Sequence, residues 1–276
     1  MTKSVEFQQP ASAFMEKRMH HHLIIVSYKG SRYFGWQDLG ATEQKPTIQS
    51  IIHQVLKKIC KYQHCSISGA SRTDAGVHAQ GQVAKLTLPI KIESEKLLRG
   101  MNSQLPGDIR IQHCEPCAKE FNPNKDSKSK EYHYYFSTDK IDNPILNDFV
   151  YHVTPGDNNP MDLELMKSAC TLFIGEHDFY NFATRDDKIK STIRNIDLCE
   201  IIKADTLDFS QDTYYLKIKG NGFLKHMIRY IAGTLFEVGR GNINLSEINE
   251  ALKNRQEHKP CPKTKAKGLH LIEICY

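Results

Sequence analysis

Apolar and polar positions along the chain fall into two successive passes of strand-like and helix-like spacing. Leu23–Tyr28 is a short β-rich run closed by Lys29-Gly30, which predicts a strand and a turn. From Thr47 onward, Ile48, Ile51, Ile52, Val55, Leu56 and Ile59 recur at helical spacing, with Thr47 after Pro46 placed as a cap. Cys65–Ser68 and Gln82–Leu88 read as strands. Glu93–Leu105 reads as a second helix stopped by Pro106-Gly107, and Asp108–His113 as a further strand. Strand, helix, strand, strand, helix, strand is the split βαβ order of ferredoxin-like and RRM-like domains.

A second pass of similar character follows. Glu131–Phe136 is a tyrosine-rich strand, and Met161–Phe173 a helix with Leu163, Met166, Cys170 and Phe173 on one stripe. Thr192–Ile201 and Tyr214–Lys219 are strands, Phe223–Val238 is a long apolar helix, and Ser246–Leu252 is a short helix begun by Ser246. Leu269–Tyr276 closes the chain as a strand. The expectation is an internally duplicated α+β protein with domains over 23–117 and 118–276, joined in the polar stretch Cys117–Lys130. Residues 1–22 are polar and irregular and are expected to form a disordered extension, His20-His21-His22 included.

Composition narrows the class. Hydrophobic content of 39% and charged content of 25% are those of a globular chain that buries a real core. No apolar stretch approaches the ~18 residues needed to span a bilayer, and no continuous apolar segment marks a secretory signal near the start. Eight cysteines without such a signal point to reduced thiols in the cytoplasm. The net charge is +5, and the segment Lys253–Lys267 alone carries six basic residues against Glu257, an equal excess. Such a cluster is either a solvated loop or a phosphate-contacting one.

One short run stands apart. Gly69-Ala-Ser-Arg-Thr-Asp-Ala-Gly-Val-His78 places Asp74 and Arg72 on a glycine-bounded turn just before Gln82-Val83. A turn lifts a carboxylate out of the packed sheet toward a substrate, although Asp-Ala-Gly also makes an ordinary Asx-turn. Arg229 lies on an otherwise apolar stretch, where an arginine needs a partner, and a carboxylate suits its geometry. Cys114 and Cys117 after His113 have metal-like spacing, but no second close pair completes a four-ligand set, so no metal is expected. There is no P-loop and no dinucleotide fingerprint, so no nucleotide cofactor is expected either.

The run through Asp74, Val77, His78 and Gln82 resembles the signature of TruA-type tRNA pseudouridine synthases. The resemblance extends from Leu23 to Tyr276. It includes Tyr28–Gln37 with Gly35-Trp36-Gln37, Thr47-Ile48-Gln49, Leu105–Ile109, Gly175–Phe179, Thr192–Arg194, Gly220–Arg229 and Lys265–Leu269. It implies an α+β fold of two RRM-like halves with mainly antiparallel sheets lining a central basic cleft. It also implies a cytoplasmic homodimer that needs no cofactor and isomerises uridine to pseudouridine in the anticodon arm of tRNA, at positions 38, 39 and/or 40.

In this resemblance Asp74 is the catalytic carboxylate, acting as nucleophile or base, Arg229 pairs with and orients it, and Tyr132 stacks on the target uracil. Arg72, His78, Gln82, Lys130, Lys225, Lys263, Lys265, Lys267 and Leu269 are the implied substrate contacts. His177 and His226 read as packing or hydrogen-bonding residues. Two departures stand out: Phe121-Asn-Pro-Asn124 lacks an expected arginine, with Asn122 and Asn124 in its place, and Tyr28-Lys29 replaces the usual Tyr-Asp. The competing reading is a non-catalytic RNA-binding protein or RNA chaperone on the same scaffold. Joint presence of Asp74, Tyr132 and Arg229 weighs against it.

Overall fold

Thr47 starts the first helix with a reciprocal cap: its side chain accepts from the Ser50 amide while the Ser50 side chain accepts from its own. That helix, α1 (Ile48–Ile59), turns Ile48, Ile52, Val55 and Leu56 into the core. It follows strand β1 (His20–Tyr28) and precedes β2 (Ser66–Gly69), β3 (His78–Leu88), α2 (Ser94–Asn102) and β4 (Ile109–Pro116). The second part runs β5 (Ser129–Ser137), β6 (Tyr151–His152), α3 (Leu163–Cys170), β7 (Gly175–Asp178), β8 (Ile193–Lys203), β9 (Thr213–Gly220), α4 (Met227–Gly239), α5 (Leu245–Lys253) and β10 (Leu269–Cys275). The computed structural model describes residues 19–38, 40, 46–154, 160–186, 188–204 and 212–276.

The strands among these residues form one sheet in the order β4-β1-β3-β10-β5-β9-β8-β7, with β2 beside β3 and β6 beside β5. Pairing is antiparallel except between β3 and β10 and between β5 and β6. The order β4-β1-β3-β2 in the first part recurs as β10-β5-β9-β8 in the second. β3 is the seam. One edge carries β1, and the other is divided, with Ala84–Thr87 pairing β2 and His78–Ala79 pairing His270–Leu271. The chain from Ala70 to Val77 therefore leaves the sheet where the two parts meet. A single continuous apolar cluster runs beneath both, and truncating one of its large side chains to Ala costs about 2–5 kcal/mol.

Several element boundaries depart from expectation, each for a local reason. His20–His22 belong to β1 and pair with Leu86–Leu88, because ladder hydrogen bonds do not depend on apolar side chains; the rest of the expected extension, 1–18, lies outside the described residues. α2 ends early, at Asn102, whose side-chain amide bonds the Ile111 backbone in both directions. α3 tightens after Cys170 into one 3₁₀ turn, Thr171–Phe173. α4 begins at Met227 rather than Phe223, since His226 is left-handed with φ 64° and stops the helix from extending backward. α5 is capped by Asn244 with Glu247 returning the bond, not begun by Ser246. β6 and β7 are too short and polar to show a two-residue alternation. No helix among the described residues is long and apolar enough to cross a membrane.

Candidate active site

The loop 70–77 is held on every side. Trp36 N donates to the Thr73 carbonyl at 3.1 Å and Gly76 N to the Tyr33 carbonyl at 3.3 Å. Tyr28 and Thr73 share a hydroxyl bond of 2.8 Å. The Gln82 amide spans Ser71, accepting from its N at 3.1 Å and donating to its carbonyl at 2.6 Å. Lys130 Nζ donates to the Ala70 carbonyl at 2.8 Å and to Asn124 Oδ1 at 3.0 Å. Gly35 is required where it stands: its φ is +85°, and a Cβ there would lie 2.4 Å from the Thr73 oxygen. The Gly35-Trp36-Gln37 turn is thus the cradle of the Asp74 loop.

α4 brings the opposing charge. Arg229 Nη1 lies 3.2 Å from Asp74 Oδ2, and Arg229 Nε donates to the Thr264 carbonyl at 2.8 Å. Thr264 returns two bonds to the Arg229 carbonyl, from its N at 3.2 Å and its hydroxyl at 3.1 Å. That close seating needs Gly233, where a Cβ would meet the Pro262 oxygen at 2.6 Å. Arg229 is buried, whereas the Asp74 side chain keeps 23% of its surface exposed, so the carboxylate is reachable and its partner is not.

His226 approaches the same oxygen, with Nε2 3.4 Å from Asp74 Oδ2. Its Nδ1 is 2.6 Å from Thr184 Oγ1. Burial pushes the imidazole down to about 4; Asp74 pulls the other way, while Lys263, Arg229 and Lys225 add to the lowering. The ring is therefore neutral at pH 7. The Thr184 hydroxyl donates to Nδ1 or accepts from it according to the tautomer of the ring.

Tyr132, on β5, shares a 2.7 Å hydroxyl bond with Ser71 and meets Phe223 edge-on at 5.4 Å between ring centroids. Burial, followed by the Asp74 charge, raises its phenol to about 12, and the Ser71 bond partly opposes this. Arg229 thus meets Asp74, and Tyr132 bonds Ser71 of the same loop. Arg72, Lys225, Lys263 and Lys265 are exposed, and Lys267, half-buried, reaches the Asn147 side chain. Four of the expected substrate contacts are buried. His78 is 2% exposed, Gln82 0%, Lys130 8% and Leu269 6%, so they support the loop and the seam from inside instead of meeting solvent. Burial also lowers the Lys130 ammonium to about 8. Asn124 seats the very lysine that fixes Ala70, which gives the missing arginine's position a structural use.

Thr184, Phe223 and Thr264 carry no sequence signal of their own; only the folding of distant segments brings them in. A cavity of about 540 Å³ borders the loop at Gly76 and is lined by Asp142, Asp148, Tyr151 and Lys265–Lys267. Burial raises the Cys114 thiol to about 11, away from the thiolate a metal would need, and no metal-holding group of three or more His, Cys, Asp or Glu occurs among the described residues.

Comparison with known proteins gives the family. A family model described as tRNA pseudouridine synthase matches residues 24–124 and 169–276, which contain Asp74 and Arg229. The chain is 49% identical over 259 residues to a tRNA pseudouridine synthase A 2 of Desulfotalea psychrophila, covering 93% of this chain and 98% of that one. It is 34% identical over 259 residues to a tRNA pseudouridine synthase A of Thermoanaerobacter sp., covering 94% and 100%. A tRNA pseudouridine synthase A 2 of Bacillus cereus is 34% identical over 258 residues, covering 93% and 99%. With matches of this extent on both halves of the sheet, the chain belongs to the tRNA pseudouridine synthase family.

Proposed function

We propose that this protein isomerises uridine to pseudouridine in tRNA and that Asp74 is the carboxylate acting on the target ribose. Beyond family membership, one observation carries the assignment of Asp74: a part-exposed carboxylate on a braced loop is held on one oxygen by a buried arginine 3.2 Å away. The bond from C1′ to N1 breaks, the uracil turns, a bond forms from C1′ to C5, the C5 proton passes to solvent and N1 takes up a proton. Reactant and product have the same composition, so no group donor enters. Asp74 acts as nucleophile at C1′ or as base at C2′.

The target base must leave its stack to reach this depth. Arg72, exposed and with no bonded partner among the described residues, fills or props the vacated space in this reading. Tyr132 is the platform for the uracil. Because its ring is 5% exposed and covered by Phe223, the base reaches it only when Phe223 moves aside. Lys225, Lys263, Lys265 and Lys267 form the rim that tracks the phosphates of a basic cleft. The repeated strand order supports two RRM-like halves over 23–117 and 118–276. Action on the anticodon arm, a homodimeric state and a cytoplasmic location complete the proposal. A scaffold used for binding alone has no need of a carboxylate clamped in this way. Mapping pseudouridine in total tRNA from cells with and without the protein tests the reading: loss of anticodon-arm pseudouridines is expected, and an unchanged map contradicts it.

A further inference from the structure

Two side chains near one helix start approach a single oxygen of Asp74. Arg229 Nη1 is 3.2 Å and His226 Nε2 3.4 Å from Oδ2, while Oδ1 takes no bond among the described residues. We infer that His226, fixed by Thr184, is a positioning residue that pins Oδ2 and turns Oδ1 toward the target ribose. The inference rests on the proposed role of Asp74 and adds to it which oxygen reacts and what selects it.

Three features support the assignment. The first is backbone: His226 sits at φ 64°, a left-handed conformation that costs a non-glycine residue about 1–2 kcal/mol. That conformation places the ring at the head of α4, one turn before Arg229, rather than out in solvent. The second is the Thr184 contact of 2.6 Å, which fixes the ring orientation. Thr184 is itself fastened to the same turn, since its N donates to the Lys225 carbonyl at 2.9 Å. The third is charge. The groups facing the ring are Asp74, Arg229, Lys225 and Lys263. With three cations already near, a second charged donor on Oδ2 would draw further electron density from the carboxylate and weaken it as nucleophile or base. A neutral imidazole supplies direction without that penalty. The arrangement follows the logic by which a group hydrogen-bonded to a reacting residue holds it in its productive rotamer.

The test uses the full-length protein and tRNA carrying 5-tritiated uridine, with single-turnover rate and tRNA binding measured separately. His226→Asn is the informative substitution because asparagine tolerates the left-handed backbone but its amide is too short to reach Asp74. A fall in kcat of about 10- to 100-fold is expected, with tRNA Kd within about twofold of wild type. Thr184→Val should lower kcat about three- to tenfold, Thr184→Ser should restore it, and adding Thr184→Val to His226→Asn should cost nothing further, because the threonine acts through the histidine. Thermal unfolding of each variant separates these effects from loss of fold. Wild-type kcat in His226→Asn, failure of Thr184→Ser to differ from Thr184→Val, or multiplicative losses in the double variant would overturn the inference. An inactive wild-type protein would instead remove the function on which it rests.

Discussion

Arg229 and Thr264 hold each other by three hydrogen bonds, one from the guanidinium Nε and two returned to the Arg229 carbonyl, at 2.8, 3.2 and 3.1 Å. The guanidinium is therefore aimed before any substrate arrives, and the segment bearing Lys263 and Lys265 is fastened to the helix that serves the carboxylate. Alignment of Asp74 and attachment of the basic rim share one joint.

Arg229→Lys is expected to lose that double engagement, because one ammonium cannot donate along two fixed directions as a planar fork does. We expect kcat to drop by about 100-fold. Arg229→Ala, which takes the cation from Asp74 and the donor from the Thr264 carbonyl, should in addition lower stability by about 3 kcal/mol. Single-turnover kinetics and urea unfolding check the two outcomes.

Gly35→Ala forces both a left-handed alanine and a Cβ 2.4 Å from the Thr73 oxygen. A loss of about 3 kcal/mol is expected, together with slower turnover, since Thr73 adjoins Asp74. Gly40→Ala is the matched control, with φ +91° but no atom of the described residues within 4 Å of the added Cβ. It should cost about 1–2 kcal/mol and leave turnover unchanged. Equal losses at both positions would show that the cradle contact is unimportant.

Lys130 makes stability depend on alkaline pH. Its folded value is about 8, below the ordinary 10.5, because burial disfavours the ammonium. Below pH 8 the full penalty for burying the cation is present. Between pH 8 and 10.5 the unfolded chain binds more protons than the folded one, so stability rises with pH. Relative to Lys130→Met, wild type should gain about 2–3 kcal/mol across that window, measured as unfolding free energy at each pH. A pH-independent difference would contradict the assignment.

Replacing Lys263, Lys265 and Lys267 together with Ala should weaken tRNA binding and flatten the plot of log affinity against log salt, by about 0.7–0.9 per lost phosphate contact. Lys267 already reaches Asn147, so its single replacement should contribute least. An unchanged slope makes the rim a spectator.

Much of this arrangement was legible before folding. Helix α1 declares itself because its apolar spacing and its Thr47 cap agree, and both are local properties. Motif resemblance singles out Asp74, Arg229 and Tyr132, and the loop bearing Asp74 leaves the sheet at the divided edge of β3. What stayed hidden is what depends on long-range closure. His226 lay inside an apolar run that reads as continuous helix, yet its left-handed backbone breaks that run and turns the imidazole onto Asp74. Gln82 and Lys130 are polar residues whose partners, Ser71, Ala70 and Asn124, are backbone or loop groups that no periodicity reveals. β7, Gly175–Asp178, is polar and only four residues long, and it exists because β8 offers it an edge.

The most direct measurement compares Asp74→Asn with wild type in release of tritium from 5-tritiated uridine in tRNA, with binding followed in parallel. The amide keeps the side chain's shape but can neither attack C1′ nor take a proton from C2′, so release should fall below detection while tRNA Kd stays within about threefold. Turnover retained in Asp74→Asn would contradict the account.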